Sequence, residues 1–300
     1  MRLLLFLMKK FHGTGVAVVT PFQTDGSIDF PALENIIENL IGNGIDYLIS
    51  LGTTGESATL NSVEKKEVWK FTAQTVAGRI PLIAGVGGNY TAEVIENIKK
   101  LDKHGFDAIL SVSPYYNKPT QEGIYQHYKA IATKADLPLI LYNVPSRTGS
   151  NITAETTVRL AHDFDNIIAI KEASGSFDQF NQIMRDKPLE FMLISGDDPV
   201  TLPMIALGAV GVISVIGNAV PQLFSDMVRL CLDGKWEAAR TLHYQLINFT
   251  RLMFVDGNPA GVKEALKISG LCENTLRLPL VKVSTKVAGL IAEELKKLNP

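Results

Sequence analysis

The sequence has few cysteines and no excess of basic residues, which argues against a disulfide-rich protein and a nucleic-acid binder. Its 300 residues include only two cysteines, and 29 basic residues against 31 acidic ones leave a net charge of −2. Cys231 and Cys272 form no disulfide framework and indicate a reducing compartment, so we expect a cytoplasmic protein. A near-neutral chain also lacks the basic excess of a nucleic-acid binder.

Long apolar stretches are missing as well. No run of 18 uncharged apolar residues occurs in the sequence, which argues against a transmembrane helix and a membrane partner. The opening run MRLLLFLM is short, ends at Lys9 and Lys10, and is followed by no small-residue cleavage site. We interpret residues 1–12 as an N-terminal extension, with Met1 and Met8 as alternative starts, and not as a signal peptide.

Metal-ligand patterns are missing too. The five histidines show none of the spacings that metal sites use, and four of them fall in predicted helices or loops away from the carboxyl ends of the predicted strands. We therefore expect neither a metal nor a cofactor. The histidines are His12, His104, His127, His162 and His243.

The sequence does contain a regular alternation of short apolar runs and longer amphipathic segments. Each run is nearly continuous in Val, Ile and Leu, which is typical of a parallel strand covered on both faces. We expect each run to form a strand. The eight runs are Gly15–Thr20, Tyr47–Leu51, Pro81–Val86, Ala108–Ser113, Leu139–Val144, Ile167–Lys171, Phe191–Ser195 and Gly211–Val215.

Segments with helical spacing separate the runs. Thr91, Thr153 and Pro221 are predicted to begin three of these helices. In the first segment of the chain, apolar residues at i, i+3, i+4, i+7 and i+8 predict a helix with one buried face, formed by Leu33, Ile36, Ile37, Leu40 and Ile41.

Eight strand–helix units in succession predict an α/β fold, a (β/α)8 barrel over residues 13–233. A doubly wound sheet is the alternative, but the one glycine-rich candidate, residues 85–90, lacks the third glycine of a dinucleotide fingerprint. Three helical stretches without strands between them predict a small C-terminal helical region, residues 234–300, that serves assembly. These stretches are Lys235–Phe254, Pro259–Ile268 and Val283–Lys297.

The active site of such a barrel lies at the carboxyl ends of its strands. Lys171 ends the sixth predicted strand. A lysine inside a barrel loses solvation, which lowers the pKa of its ammonium, and an uncharged amine attacks carbonyl groups to form a Schiff base. The alternative is a charged lysine at the rim, paired with Glu172 or Glu56, and the strand position alone does not choose between them.

Polar residues at other strand ends favour the catalytic alternative. Thr53 and Thr54 follow the second strand between two glycines, which suits a turn whose hydroxyls and amides bind a carboxylate; a capped turn is the alternative. The fourth strand ends in two tyrosines and the fifth in Tyr142, and phenols carry protons to and from a reacting oxygen. Arg147 offers a fork for a substrate carboxylate.

The seventh predicted strand ends in Asp197 and Asp198. Paired acids can bind a metal or act in acid–base chemistry. We favour a structural role, in which one carboxylate caps the next helix and the other orients a loop.

Five segments at strand ends form one pattern: Gly52–Glu56 (GTTGE), Ser113–Asn117 (SPYYN), Leu141–Gly149 (LYNVPSRTG), Ile170–Ala173 (IKEA) and Ser195–Asp198 (SGDD). The pattern resembles the 4-hydroxy-tetrahydrodipicolinate synthase family, also called dihydrodipicolinate synthases, from about Gly13 to the segment between Asn258 and Lys263. The resemblance implies a barrel lyase that condenses pyruvate with L-aspartate 4-semialdehyde through a lysine Schiff base, in the diaminopimelate route to lysine.

The resemblance also implies roles for single residues. Lys171 forms the imine with pyruvate, Tyr142 is the general acid/base beside it, and Thr53 and Tyr116 complete a proton relay. The residues implied in substrate binding are Thr54 and Ile213 for the pyruvate carboxylate, Arg147 for the carboxylate of the semialdehyde, and Gly196 near the same cavity.

Family members are usually homotetramers, and the resemblance implies that Tyr116 reaches into a neighbouring subunit's site. Many members are inhibited by lysine at the dimer interface. Ser62 and Lys65 depart from the histidines of the lysine-sensitive pattern, and Lys65 places a cation where a cationic effector must bind, so we predict weak or absent lysine inhibition. The matching effector positions are Ser57, Ala58, Ser62, Lys65, Asn89, Glu93 and Tyr115.

Two alternative functions stay open. The superfamily includes N-acetylneuraminate lyase and 2-keto-3-deoxy sugar-acid aldolases, whose substrates call for hydroxyl-binding groups and no cation such as Arg147 for a second carboxylate. A barrel that has lost catalysis and only binds would lack Lys171, Tyr142 or a relay residue, and all of these are present.

Overall fold

The structure, a computed structural model, describes residues 10–101 and 105–298. Most of the predicted extension, with Met1 and Met8, and also His104 lie outside the described residues. Eight parallel strands close into a barrel in sequence order, which confirms the predicted fold. The strands are β1 (Gly13–Ala17), β2 (Tyr47–Ser50), β3 (Leu82–Gly85), β4 (Ala108–Val112), β5 (Leu139–Asn143), β6 (Ile167–Glu172), β7 (Met192–Ser195) and β8 (Gly211–Ser214).

Each of the eight predicted runs overlaps a strand, and the first run differs most from its strand. We predicted Gly15–Thr20, whereas β1 covers Gly13–Ala17. The backbone N–H of Val18 still donates to the Ile49 carbonyl of β2, at 3.1 Å, whereas the N–H of Val19 donates to Oδ1 of the Asn218 side chain, at 3.2 Å. Hydrophobicity alone does not distinguish such buried loop residues from strand residues.

Helices follow the strands and cover the outside of the barrel. The helices predicted to begin at Thr91, Thr153 and Pro221 are confirmed to within a residue. The first helix begins after Asp29, whose side chain accepts the backbone N–H of Ala32 at 3.0 Å. The described helices are α1 (Phe30–Gly42), α2 (Ser62–Val76), α3 (Thr91–Lys100), α4 (Gln121–Ala132), α5 (Pro145–Thr148), α6 (Ala154–Asp163), α7 (Phe177–Asp186), α8 (Thr201–Ala206), α9 (Pro221–Leu232), α10 (Trp236–Val255), α11 (Ala260–Ile268) and α12 (Thr285–Leu298).

Two apolar layers hold the barrel together. One lies between the strands and the helices, and the other fills the barrel interior. Phe11 belongs to the interior layer and packs edge-on against Tyr47, with the ring centroids 5.7 Å apart. Phe11 falls within the predicted N-terminal extension, so the end of that segment is part of the barrel core.

The C-terminal helices pack on the barrel, with α10 against both α9 and α12. The division of the chain at residue 233 stays a prediction. Contacts between α9 and α10 cross this position. No helix in the described ranges is long and apolar enough to cross a membrane.

A fully buried ion pair joins the C-terminal region to the turn after β2. Lys263 Nζ lies 2.5 Å from Glu56 Oε1, and neither side chain is exposed. The same Nζ donates to the backbone carbonyl of Thr275 at 2.9 Å. Burial lowers the pKa of Lys263, and the charge of Glu56 opposes that shift. Because buried charges are tolerated only when they are paired and hydrogen-bonded, each partner needs the other.

We expect Lys263→Met to lower the free energy of unfolding by about 3–5 kcal/mol, because it leaves the Glu56 carboxylate buried without a counter-ion. Urea denaturation followed by circular dichroism measures the change. The double variant Glu56→Gln/Lys263→Met should recover much of the loss, because it leaves no lone buried charge.

The control is Lys235→Met. Lys235 pairs with Asp233 at 3.1 Å, but both side chains are more than half exposed, so the expected loss is below about 1 kcal/mol. Equal losses in Lys263→Met and Lys235→Met would contradict a structural role for the buried pair.

Candidate active site

Tyr142 and Lys171 lie side by side inside the barrel, at the carboxyl ends of β5 and β6. The two residues are paired in the strand register, and both are buried. Lys171 Nζ lies 4.2 Å from the centroid of the Tyr142 ring. The barrel thus brings together an amine and a phenol from neighbouring strands.

Lys171 has no counter-ion in the described part of the chain, where its Nζ makes neither a hydrogen bond nor an ion pair. The two acids that sequence analysis offered as its partners are bound elsewhere. Glu172 accepts a hydrogen bond from Asn143 Nδ2 at 3.0 Å, and Glu56 is paired with Lys263. The alternative of a rim lysine paired with either acid is therefore wrong.

A cavity of about 160 Å³ opens beside this pair of residues and is called the first cavity below. Six of the eight catalytic and substrate-binding residues predicted from the sequence line it: Lys171, Tyr142, Thr53, Thr54, Arg147 and Gly196. The rest of the wall comprises Val144, Ser146, Ala173, Asp197, Asp198, Val215, Phe254 and Asn258.

The two remaining predicted residues do not line the first cavity. Ile213 lies in the apolar interior of the barrel, and Val215 takes the wall position at that strand end. The Tyr116 side chain is 85% exposed, and its backbone is left-handed, with φ +66°. Within the described chain, the predicted relay is therefore not assembled: Tyr116 is absent from the wall, and no hydrogen bond joins Thr53 to Tyr142.

The turn after β2 presents its threonines to the first cavity. Thr53–Gly55 forms one turn of 3₁₀ helix, and Glu56 ends it in a left-handed conformation with φ +51°. Thr54 is buried, and its Oγ1 accepts a hydrogen bond from Asn258 Nδ2 at 3.0 Å. Because the Thr54 hydroxyl accepts in this bond, its own hydrogen is available to donate, and a ligand carboxylate can accept it.

Gly196 lets the backbone after β7 lie directly against the lysine. A Cβ at this position would come within 2.9 Å of Ala173 Cβ and 3.0 Å of Lys171 Cγ. Any side chain would therefore displace the stem of the lysine. The structure thus indicates that Gly196 leaves room for the Lys171 side chain, while its predicted role in substrate binding stays a prediction.

Asp198 anchors the loop after β8. Its Oδ2 accepts the backbone N–H groups of Val215 and Ile216 at 3.0 and 2.9 Å, as expected for a carboxylate that orients a loop. The expected helix cap is wrong, because Asp197 makes no side-chain cap. Burial raises the pKa of Asp198 to about 6, and it also raises the pKa of Asp197, which the charge of Lys171 partly offsets.

Sequence analysis missed the contribution of the C-terminal region, which we assigned to assembly. Phe254 and Asn258 both line the first cavity. Asn258 Oδ1 is buried and has no hydrogen-bond partner among the described residues. The only signal in the sequence was that the family resemblance extends to Asn258.

Four of the seven predicted effector positions line a second cavity, of about 340 Å³, next to the first. Its wall includes Ser57, Ala58, Lys65 and Tyr115. The other three positions are not on this wall: Asn89 hydrogen-bonds through its side chain to the backbone of Tyr115, and Ser62 and Glu93 are exposed.

The described histidines lie away from the first cavity. His127 is buried between α3 and α4, with Nδ1 at 2.8 Å from Thr91 Oγ1, and burial lowers its pKa to about 4. In the described ranges, no three His, Cys, Asp or Glu side chains are grouped as metal ligands.

Comparison with known proteins places these residues in a family. The sequence profile of the dihydrodipicolinate synthetase family matches residues 10–298. A 4-hydroxy-tetrahydrodipicolinate synthase of Parabacteroides distasonis is 54% identical over 96% of this chain and 97% of its own length. A protein of the same name from Flavobacterium psychrophilum is 52% identical over 97% of this chain and 100% of its own.

A solved structure agrees with these sequences. The crystal structure of dihydrodipicolinate synthase from Aquifex aeolicus is 43% identical and superimposes with a TM-score of 0.94, over 96% of this chain and 98% of that one. The profile match over nearly the whole length and the high identity to full-length relatives lead to one conclusion: the chain belongs to the dihydrodipicolinate synthetase family.

Proposed function

We propose that the chain catalyses the condensation of pyruvate with L-aspartate 4-semialdehyde to 4-hydroxy-tetrahydrodipicolinate, in the diaminopimelate route to lysine. Family membership and the names of the relatives support this activity. The structural observation that carries it is the buried Lys171, which lines the first cavity beside a phenol and has no counter-ion among the described residues. An amine in that setting suits imine formation with a keto acid.

Residues on the wall of the first cavity account for the steps of the condensation. Lys171 Nζ attacks C2 of pyruvate, and Tyr142 protonates the hydroxyl that leaves as water, which gives a protonated imine whose carboxylate the Thr54 turn holds. The Tyr142 phenolate formed in this step takes a methyl proton, and the resulting enamine carbon attacks the aldehyde carbon of the semialdehyde. Tyr142 returns the proton to the new alkoxide. The amine of the semialdehyde then displaces Lys171 from the imine carbon, which closes the ring and frees the lysine.

Arg147 favours the semialdehyde over a sugar acid. Arg147 lines the first cavity, and its side chain makes no hydrogen bond or ion pair with other described side chains. A second substrate that carries its own carboxylate supplies the missing anion, whereas the polyol chain of a sugar acid does not.

We also infer a homotetramer in the cytoplasm, in which Tyr116 completes the proton relay of a neighbouring subunit. An exposed phenol on a strained, left-handed backbone supports this inference, because strain of this kind is concentrated at functional positions.

The coupled assay with pyruvate and the semialdehyde tests the activity. We expect turnover by the unchanged protein and loss of at least about 10³-fold in Lys171→Ala, because no other residue supplies the nucleophile. Cleavage of N-acetylneuraminate or 2-keto-3-deoxygluconate, without turnover of the semialdehyde, would instead assign the chain to a sister lyase.

Borohydride reduction in the presence of pyruvate tests the imine. We expect the mass of a reduced pyruvate adduct on the peptide that contains Lys171, measured by mass spectrometry after digestion. Buried Lys263 is the matched control, because it is ion-paired and lies outside the first cavity. An unmodified Lys171 peptide, or equal labelling of both lysines, would contradict an imine at Lys171.

Mixed oligomers test whether Tyr116 acts between subunits. Lys171→Ala and Tyr116→Ala should each lose at least about 10²-fold in activity alone. After co-expression, a site with Lys171 from one chain and Tyr116 from the other is intact, so activity should exceed the sum of the two variants. No gain in verified mixed oligomers would show that Tyr116 does not act in its neighbour's site.

A further inference from the structure

A buried acid next to Lys171 takes no part in the proposed reaction. Glu172 is the last residue of β6 and is buried. Successive side chains of a strand lie on opposite faces, so Lys171 lines the first cavity while Glu172 lies on the other face of β6. Glu172 forms no ion pair with any described residue. A buried carboxylate without a cation is stable only when other donors satisfy it.

Three neutral donors bind the Glu172 carboxylate. Oε2 accepts Asn143 Nδ2 at 3.0 Å and Gln179 Nε2 at 2.9 Å, and Oε1 accepts the backbone N–H of Ser174 at 2.6 Å. An ionised carboxylate has two acceptor oxygens and no donor, whereas a glutamine would offer one acceptor oxygen. The acid therefore orients two side-chain amides, one at the end of β5 and one on α7.

The two amides in turn bind Asn151. Its Oδ1 accepts Asn143 Nδ2 at 2.8 Å, and its Nδ2 donates to Gln179 Oε1 at 2.8 Å. The backbone N–H of Ile152 donates to Asn143 Oδ1 at 2.9 Å. We call Glu172, Asn143, Gln179 and Asn151 the amide cluster.

The amide cluster holds both ends of the segment that carries Arg147. The chain leaves the cluster at Asn143 and returns to it at Asn151, and Arg147 lies between them on α5. Hydrogen bonds inside the segment maintain its shape, such as that from Thr148 Oγ1 to the Ser150 carbonyl at 2.7 Å. The bonds to the cluster fix where that shape sits relative to β5 and β6.

We propose that the amide cluster around Glu172 positions Arg147 on the wall of the first cavity. The kinetic consequence rests on the proposed function, in which Arg147 binds the carboxylate of the semialdehyde. A displaced segment should raise the KM for the semialdehyde and spare the reaction of pyruvate with Lys171, because pyruvate binds at the Thr54 turn. The placement of the segment does not rest on that function.

Hydrogen exchange followed by mass spectrometry tests the placement without any turnover. Asn151→Ala removes the amide that joins the segment to the cluster, and it keeps the Asn151 carbonyl, which accepts Gln121 Nε2 at 2.8 Å. Glu172→Gln removes one acceptor oxygen. In each variant we expect exchange about fivefold faster in peptides that cover residues 144–152, because opening this segment costs at least one hydrogen bond less.

Steady-state kinetics tests the consequence for the reaction. In Asn151→Ala we expect the KM for the semialdehyde to rise about tenfold, while the KM for pyruvate and the borohydride-trapped adduct on Lys171 change by less than about twofold. A double-mutant cycle shows whether the effect passes through Arg147. In the Arg147→Ala background, adding Asn151→Ala should change the KM for the semialdehyde by less than about twofold.

The matched control is Asn166→Ala. Asn166 is a half-buried amide just before β6, at the opposite end of the strand from Lys171, and its Nδ2 donates to the carbonyl of Ala132 at 2.8 Å. Its removal deletes a comparable hydrogen bond outside the cluster. We expect both KM values and the exchange of residues 144–152 to stay as in the unchanged protein.

Faster exchange of residues 144–152, with a KM effect that disappears in the Arg147→Ala background, supports the proposal. It is overturned by unchanged exchange in both cluster variants, by a KM effect of the same size without Arg147, or by an equal effect of Asn166→Ala. Absence of semialdehyde turnover in the unchanged protein would instead contradict the proposed function, and the exchange result alone then decides whether the cluster positions the segment.

Discussion

The candidate site depends on keeping carboxylates away from one lysine. A carboxylate in contact with an ammonium holds it in the charged form, which cannot attack a carbonyl. Three acids that could pair with a lysine are engaged elsewhere: Glu172 by a side-chain amide, Asp198 by two backbone N–H groups, and Glu56 by a lysine of the C-terminal region. Burial raises the pKa of Asp197, and the charge of Lys171 partly offsets that shift. Each of these bonds satisfies a buried acid and also leaves the nucleophile without a partner.

The C-terminal helices are therefore part of the chemistry. The turn after β2 carries Thr54, and two residues far along the chain hold that turn in place. Asn258 donates to the threonine hydroxyl, and Lys263 binds the carboxylate of Glu56, which sits in a left-handed conformation at the end of the turn. A non-glycine residue keeps such a conformation only where its surroundings fix it. The ion pair thus contributes to stability and to the placement of a ligand-binding hydroxyl through the same contact.

Sequence reasoning succeeded where a local rule fixes position in space. Eight apolar runs predicted eight strands, and the rule that barrel sites lie at strand ends predicted that Thr53, Tyr142 and Lys171 lie together, as they do on the wall of the first cavity. It failed where the partner is set by tertiary packing. Nothing near Glu56 in the sequence indicates that it binds a residue of α11 and not the strand-end lysine. Asn258 was missed for the same reason, since it follows a helix and no strand-end rule applies to it.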